Sequence, residues 1–230
     1  MCFSATGSFI LGGGLVLSSA YSLKLGWRRR ELLPFAALPL LFGLQQVVEG
    51  FVWLDLLSAT PERARTPALG FMFFSHFLWL FWVPLAAAIA ERVACRRRLF
   101  FAMTGVGLVF GGAMYWPFVF DYDLWHVKIH EHSIGYYVDL VFDDAIPRDL
   151  SHGLYAVLTL VPLFASSSHR IKLLGAMMAI AAALTLLFFV YTFSSVWCFF
   201  AAGLSFYVLT LLRAPQELQL PLPLEATEAG

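Results

Sequence analysis

The residue of this chain best placed to do chemistry is a glutamate inside an apolar segment. Glu49 lies within residues 31–54, a stretch long enough to cross a bilayer. Gln45 and Trp53 are each four residues away, so the three would share one helix face, with Gln46 beside them. An ionisable side chain at membrane depth is costly, and it marks either a functional site or a structural polar pair. Both interpretations stay open at this point.

A histidine and a cysteine lie at similar depths in other apolar segments. Measured from the same membrane face, Glu49 is about 8 Å deep, His76 about 10 Å and Cys198 about 5 Å, at 1.5 Å of rise per helical residue. Glu and His together hold Zn or Fe, or form an acid–base pair in which the carboxylate orients the imidazole. We therefore predict Glu49 and His76 as catalytic residues. The alternative is that His76 is a satisfied core residue.

Two cysteines extend this candidate site. Cys2 precedes the first apolar segment on the face nearest Cys198, so the pair could form a disulfide or bind one metal ion together. We predict a metal-ligand set of Cys2, Glu49, His76 and Cys198 for Zn, Fe or Cu. The predicted binding residues are Gln45, Gln46, Trp53 and Trp197.

The segment of residues 121–151 adds three weaker candidate ligands. His126 and His130 would share a face in a helix, whereas His130 and His132 would share one in an extended chain. Either geometry can bring two imidazoles to a metal, but a solvated polar loop explains them equally simply. The alternating apolar and acidic residues of 134–150 could form a lid at the membrane interface.

The composition is that of an integral membrane protein. Of 230 residues, 60% are hydrophobic and 13% are charged, and the mean hydropathy is +0.77, whereas about a quarter of the residues of a soluble domain are charged. Fifteen basic residues balance fifteen acidic ones, so no nucleic-acid partner is indicated. The expected partners are the lipid bilayer, a small-molecule or lipid ligand and another membrane protein.

Seven apolar segments predict an all-α fold, a polytopic bundle of seven transmembrane helices. They are residues 8–25, 31–54, 69–90, 99–120, 152–166, 171–193 and 195–212. The basic clusters follow the first, third, fifth and seventh segments, which predicts an N-terminus outside and a C-terminus inside the cell (inner) membrane. The clusters are Lys24 with Arg28 to Arg30, Arg92 with Arg96 to Arg98, Arg170 with Lys172, and Arg213.

The chain forms one predicted domain, residues 1–213, with an extracytoplasmic loop at 121–151. Residues 214–230 are Pro- and Glu-containing and predict a flexible tail. Glycines at Gly12, Gly107 and Gly112 are expected to let helices approach closely. No lysine lies in the seventh segment to form a retinal Schiff base, and the late segments lack the HxxxH pair of ceramidase-type membrane hydrolases.

Three motifs resemble one family of uncharacterised bacterial seven-helix membrane proteins. They are the opening Met1-Cys2-Phe3-Ser4-Ala5-Thr6, the stretch Pro39 to Gly50 with its Gln-Gln-x-x-Glu pattern, and Ser195-Val196-Trp197-Cys198. The resemblance implies a membrane fold and a signature containing Cys2, Glu49 and Trp197-Cys198, without an activity. Three functions remain open: a metal-dependent enzyme or redox protein acting on a small or lipid-like substrate, a transporter or sensor of a small molecule, cation or proton, and a structural subunit.

Overall fold

The architecture is a bundle of membrane-length helices. A computed structural model describes residues 4–130, 132–144, 146–188 and 190–213. Within these ranges, six helical segments are long and apolar enough to cross a membrane: Ala5–Trp27, Arg30–Leu56, Pro61–Ala90, Ala94–Phe120, His169–Phe188 and Phe193–Arg213. The prediction of an all-α membrane protein is therefore confirmed. Cys2 and the predicted tail at 214–230 lie outside the described residues.

The described residues form ten α-helices, nine of which lie in these six segments, whereas the seventh does not. They are α1 (Ala5–Trp27), α2 (Leu33–Ala36), α3 (Leu38–Leu56), α4 (Arg65–Met72), α5 (Trp79–Ala90), α6 (Ala94–Phe120), α7 (Arg148–Phe164), α8 (His169–Phe188), α9 (Phe193–Leu204) and α10 (Tyr207–Arg213). A π-helix, Phe73–Leu78, joins α4 to α5. With 17 residues, α7 is shorter than the six membrane-length segments, and it begins four residues before the predicted fifth crossing.

Glycines set the distance between α1 and α3. A Cβ atom on Gly12 would lie 2.9 Å from the Gly43 carbonyl oxygen, and one on Gly43 would lie 2.9 Å from the Val16 backbone nitrogen. Small residues at such positions allow backbone contact between membrane helices. This contact places Ser8, one turn before Gly12, alongside the second half of α3.

Of the two glycines expected to allow close approach of α6, Gly107 and Gly112, only Gly107 lies at the α5–α6 contact. Gly107 lies directly against the Leu80 backbone, with its added Cβ 2.7 Å from the Leu80 carbonyl carbon. At Gly112, an added Cβ would meet only the Trp116 side chain of the same helix, at 3.6 Å. The expectation that Gly112 is a close-packing position was therefore wrong, because this residue faces away from the neighbouring helices.

The predicted loop at 121–151 contains a β-hairpin. Strand β1 (Trp125–His130) pairs antiparallel with β2 (Ser133–Val138), with Trp125 opposite Val138 and His130 opposite Ser133. The Trp125 indole donates to the Phe118 carbonyl at 3.1 Å, which ties β1 to the end of α6. The hairpin packs against α4 and α9, and Ile134 is fully buried there.

The bundle has two chemically different ends. We call the end that carries β1 and β2 the hairpin end, and the opposite one, with the basic clusters around Arg28, Arg96 and Arg170, the basic end. Successive crossings alternate in direction, so α3, α6 and α8 run toward the hairpin end, whereas α1, α5, α7 and α9 run away from it.

A buried carboxylate ties two connections together at the basic end. Glu91 accepts from the backbone N–H groups of Arg92 and Val93 at 3.0 and 2.9 Å and from that of Ser167 at 2.8 Å. Burial alone would raise the pKa of Glu91, but the hydrogen bonds from Ser167, Val93 and Arg92 together hold it below its usual value. The α5–α6 and α7–α8 connections are thus linked by one charged side chain.

Candidate functional site

The Glu49 carboxyl is completely buried between α3 and α9. Ser195, in the first turn of α9, donates its hydroxyl to Glu49 Oε1 at 2.5 Å. Gln46, one turn earlier on α3, donates through Nε2 to Glu49 Oε2 at 3.1 Å. Both carboxyl oxygens therefore have a donor, which offsets the cost of burying the group. Glu49 lies seven residues before the end of α3, about 10 Å from the hairpin end.

Gln45 is held in one orientation by a tryptophan. The Trp79 indole N–H donates to Gln45 Oε1 at 2.9 Å, and its ring stacks on Phe42 with centroids 4.0 Å apart. Because an indole can only donate, the oxygen of this amide must face Trp79. Gln45 Nε2 consequently points away from Trp79.

Four buried polar atoms on the neighbouring helices α1, α3 and α9 have no hydrogen-bond partner among the described residues. They are Ser8 Oγ, Gln45 Nε2, Gln46 Oε1 and Trp197 Nε1. The side chains of Ser8, Gln45 and Gln46 are fully buried, and Trp197 is 7% exposed. Such atoms are rare in folded proteins because each one left unpaired costs about 1–3 kcal/mol. Together with Glu49 and Ser195 they form what we call the polar layer.

His76 lies in the π-helix between α4 and α5. Its Nδ1 is 2.9 Å from Ser75 Oγ, and its ring meets the Phe118 ring edge to face at 5.8 Å. Tyr155 on α7 donates to the Ser75 carbonyl at 2.7 Å, and His152 is near enough to interact electrostatically. π-Helical turns occur frequently at functional sites.

The structure gives Glu49 and His76 different immediate partners. Among the hydrogen bonds of the described residues, none joins the two side chains directly. Trp197 and Cys198 lie between the partners of Glu49 and those of His76. The Trp197 ring meets the Tyr155 ring at 5.8 Å, and Cys198 lies near both Tyr155 and Glu49. The joint catalytic role of Glu49 and His76 therefore remains a prediction.

The predicted metal ligands do not assemble within the described part of the chain. No group of three or more His, Cys, Asp or Glu side chains there is arranged to hold a metal ion. Cys198 is buried with a free thiol. Cys2, its predicted partner, lies outside the described residues, so the Cys2–Cys198 prediction stays untested.

The ring contacts of the hairpin histidines do not involve residues of the polar layer. His126 is exposed and stacks on Tyr137 at 4.9 Å, and His130 meets Tyr191 at 5.4 Å. His132 is in the exposed turn between the strands. Their spacing gives no metal group among the described residues.

A family model described as a family of unknown function (DUF6629) matches residues 1–220. The chain belongs to the DUF6629 family. No curated protein and no solved structure matches it. The family assignment confirms the sequence resemblance to a family without a known activity, and the site of this DUF6629 protein must be interpreted from its geometry.

Several residues of this DUF6629 site were not predicted from the sequence as site residues. They are Ser8, Ser75, Trp79, Tyr155 and Ser195. Serine and tryptophan are ordinary in membrane helices, so their types alone gave no signal. Ser195 did stand beside Trp197-Cys198 in a motif carrying the family resemblance. Trp53, a predicted binding residue, is 4% exposed and belongs to a buried apolar cluster with Ala64 and Ala68.

Proposed function

We propose that this protein binds a small polar ligand inside the membrane, at the polar layer around Glu49. The observation that carries the proposal is the set of four buried polar atoms there without partners, from Ser8, Gln45, Gln46 and Trp197. A bundle that needed polar groups only for packing would be expected to pair them with one another. A ligand with hydrogen-bond donors and acceptors would satisfy them.

The polarity of these atoms defines what the ligand must offer. Gln45 Nε2 and Trp197 Nε1 can only donate, so they require an acceptor on the ligand. Gln46 uses its Nε2 to hold Glu49, so its free Oε1 requires a donor. The ligand therefore carries both kinds of group, and a transporter or sensor of a small molecule is the functional class that fits best.

The metal-dependent enzyme is less well supported. Ser195 and Gln46 each donate to one oxygen of Glu49, which leaves further lone pairs on that carboxyl, but no group of three or more His, Cys, Asp or Glu side chains among the described residues is arranged to hold a metal ion. A site for Zn, Fe or Cu would therefore need Cys2 as an additional ligand. Metal analysis of the purified protein separates the two proposals.

We further propose that the bundle crosses the cell (inner) membrane seven times, with α7 as the fifth crossing and the hairpin end outside. Support comes from the basic residues that gather at the opposite end, near Arg28, Arg96, Arg170 and Arg213. The polar layer would then lie nearer the extracytoplasmic side than the cytoplasmic side.

The experiment compares ligands that copurify with the wild type and with Glu49→Gln. Native mass spectrometry and solvent extraction should find a small molecule on the wild type and lose it in Glu49→Gln, because the amide has one acceptor oxygen for the two donors Ser195 and Gln46, whereas the carboxylate has two. Glu62→Gln, the same change at an exposed position, is the matched control and should retain the ligand. Equal ligand content in all three proteins, or none in any, would indicate a structural subunit. One equivalent of metal lost with Glu49→Gln would favour the enzyme.

A further inference from the structure

Glu49 is the residue of the polar layer that can carry a full charge. Both of its oxygens accept a hydrogen bond, one from Ser195 Oγ and one from Gln46 Nε2. An ionised carboxyl group only accepts, whereas a protonated one donates through one of its oxygens. The hydrogen bonds are therefore those of a carboxylate. A buried carboxylate needs a compensating positive charge, because neutral donors offset only part of its desolvation cost.

The described residues provide no such charge at Glu49. No lysine or arginine side chain among them pairs with this carboxyl group; Arg148, which does pair with carboxylates, meets Asp139 and Asp143 beside the hairpin. The basic clusters lie at the opposite end of the bundle. The positive charge must therefore come from outside the described residues, either as a proton or as part of the ligand.

Gln46 lies on the face of α3 that packs against α1. Gly43, Gln46 and Gly50 are spaced by three and four residues, so they share one helix face. An added Cβ on Gly43 would lie 2.9 Å from the Val16 backbone nitrogen, and one on Gly50 would lie 2.7 Å from Phe9 Cε1. The unpartnered oxygen of Gln46 thus belongs to a residue of the α1–α3 interface.

Ser8 adds a further oxygen to this interface. Phe9 of α1 lies against Gly50 of α3, so Ser8, directly before Phe9, is within about one helical turn of Glu49 along the bundle axis. Ser8 is fully buried and shares the face of Gly12, four residues later, which contacts α3. Its unpartnered Oγ can accept a hydrogen bond, as the remaining lone pairs of Glu49 can.

These oxygen acceptors match a protonated amine. An ammonium group has three donors and no acceptor, so it can donate to Glu49, Gln46 Oε1 and Ser8 Oγ, and it also supplies the missing positive charge. A proton on Glu49 would neutralise the charge but would leave Gln46 Oε1 unpartnered. A neutral donor would pair with Gln46 but would leave the carboxylate uncompensated. The ammonium group meets both requirements.

The ligand also needs an uncharged acceptor. Gln45 Nε2 is unpartnered and can only donate, so a bare metal cation would leave it unpaired. Gln45 and Glu49 are one turn apart, about 6 Å along the helix axis, which requires a short spacer between the two ligand groups. An anionic acceptor would restore the net negative charge of the buried layer, and this charge would again be uncompensated.

We propose that the ligand is a small organic monocation, a primary amine with a neutral oxygen acceptor a few bonds away, as in an amino alcohol. Its ammonium group donates to Glu49, Gln46 and Ser8, and its oxygen accepts from Gln45. This inference rests on the proposed function, because the amine occupies the same polar layer. It adds the charge and the chemical class of the ligand.

The test compares three small probes on the full-length protein in phosphatidylcholine nanodiscs, whose head groups contain no primary amine. Ethanolamine has both required groups, ethylene glycol has a hydroxyl in place of the ammonium, and glycine has a carboxylate in place of the alcohol. Binding is measured at pH 7 as the rise in melting temperature with probe concentration. Sodium chloride keeps the ionic strength constant. We expect ethanolamine to bind about tenfold or more tightly than either of the other probes.

Matched substitutions locate the amine. Ser8→Ala removes one acceptor, and Ser18→Ala is its control on the same helix, where the hydroxyl bonds to the Leu15 carbonyl. The ethanolamine concentration for a half-maximal rise should increase about tenfold in Ser8→Ala, the effect of losing one hydrogen bond to a charged group. It should be unchanged in Ser18→Ala. The rise should be absent in Glu49→Gln and retained in Glu62→Gln.

Other results overturn the inference. If ethanolamine and ethylene glycol act equally, or ethanolamine has no effect on the wild type, Glu49 is neutralised by something else: a proton, sodium or the amino terminus, which lies outside the described residues. Equal affinities in Ser8→Ala and Ser18→Ala exclude the α1–α3 interface as the amine site. If a neutral molecule copurifies and depends on Glu49, this inference fails and the proposed function stands. If nothing copurifies and ethanolamine is inert, both fail.

Discussion

At the scale of single residues, the polar layer is organised by which atoms are already used. Ser195 and Gln46 occupy the two oxygens of Glu49, and Trp79 occupies the oxygen of Gln45. These bonds decide which atoms stay free: a donor on Gln45 and an acceptor on Gln46. Neighbouring glutamines therefore present opposite polarity, although their side chains are chemically identical.

The Glu49–Ser195 bond gives a residue-scale prediction. Ser195→Ala removes the donor to Glu49 Oε1, which leaves a buried acceptor unpaired at a cost of about 1–3 kcal/mol. We expect a lower melting temperature in detergent, measured by tryptophan fluorescence. Ser194→Ala, the adjacent and only half-buried serine, should melt like the wild type. Equal melting of the two variants would show that this bond contributes little.

Sequence reasoning singled out four of the six residues of the polar layer, Gln45, Gln46, Glu49 and Trp197, and missed Ser8 and Ser195. Gln45, Gln46 and Glu49 stand out because polar side chains in an apolar helix are unusual. Ser195 is 146 residues away, and a serine at a helix start has no feature that indicates a buried partner. The missing information was tertiary: which helix packs beside α3, and with what rotation.

At the scale of elements, the local sequence pattern predicts strand β1 but not the π-helix around His76. Trp125, Val127 and Ile129 alternate with His126 and Lys128, a period of two that predicts a strand. The prediction for this segment was a loop with His126, His130 and His132 as candidate metal ligands, and the structure shows a hairpin there. The π-helix around His76 has no comparable sequence signal, because it depends on how α4 and α5 pack against their neighbours.

Close packing of α5 on α6 gives an element-scale prediction. Gly107→Ala places a methyl group against the Leu80 backbone, which cannot move as a side chain could, so we expect destabilisation of about 1–3 kcal/mol or more. Gly105→Ala is the control, since nothing lies within 4 Å of its added Cβ. Both variants are compared by melting temperature and by yield of monodisperse protein. Similar behaviour of the two would contradict the close contact.

The Glu91 link between two connections gives a pH-dependent prediction. Its folded-state pKa is below the ordinary value of 4.5, so its stabilisation is complete above about pH 4.5 and is lost as pH falls through the folded-state pKa. Glu91→Gln should lower stability at neutral pH by about 2 kcal/mol and should flatten the acid side of the melting profile.

The control for this experiment is Glu62→Gln, an exposed glutamate at the other end of the bundle. Its melting temperature should follow that of the wild type between about pH 3 and pH 7, the range that includes ordinary carboxyl titration. A Glu91→Gln profile parallel to the wild-type profile would show that other carboxyls cause the acid dependence.

At the scale of the whole molecule, composition and apolar runs were enough to predict a helical membrane protein, because the requirement to satisfy backbone groups in lipid leaves few alternatives. The number of crossings was harder, since the fifth apolar run is short. In the structure, α7 begins at Arg148, within the segment treated as loop. Arg148 there pairs with Asp143 and donates to the Val138 carbonyl, so the end of the hairpin and the start of α7 are joined.

Orientation in the membrane is the whole-molecule prediction. In a Cys2→Ser and Cys95→Ser background, Asp144→Cys should react with a membrane-impermeant maleimide in intact cells. A second variant carries only Cys2→Ser and so retains Cys95. This cysteine should react only after permeabilisation, because it is exposed and lies at the basic end. Cys198 is buried and should not react with the maleimide in either variant. The reverse pattern would place the hairpin end in the cytoplasm.

The separation of Glu49 from Ser195 also has a consequence for biosynthesis. A ribosome adding roughly 5–20 residues per second needs about 7–29 s to make the 146 residues between them. During that time α3 has its Gln46 donor for Glu49 but not the hydroxyl from α9. The nascent chain must therefore keep a partly unpaired carboxyl near lipid or the insertion machinery until α9 arrives. Ribosome-bound chains ending before α9 should accordingly be the ones that membrane quality control removes fastest.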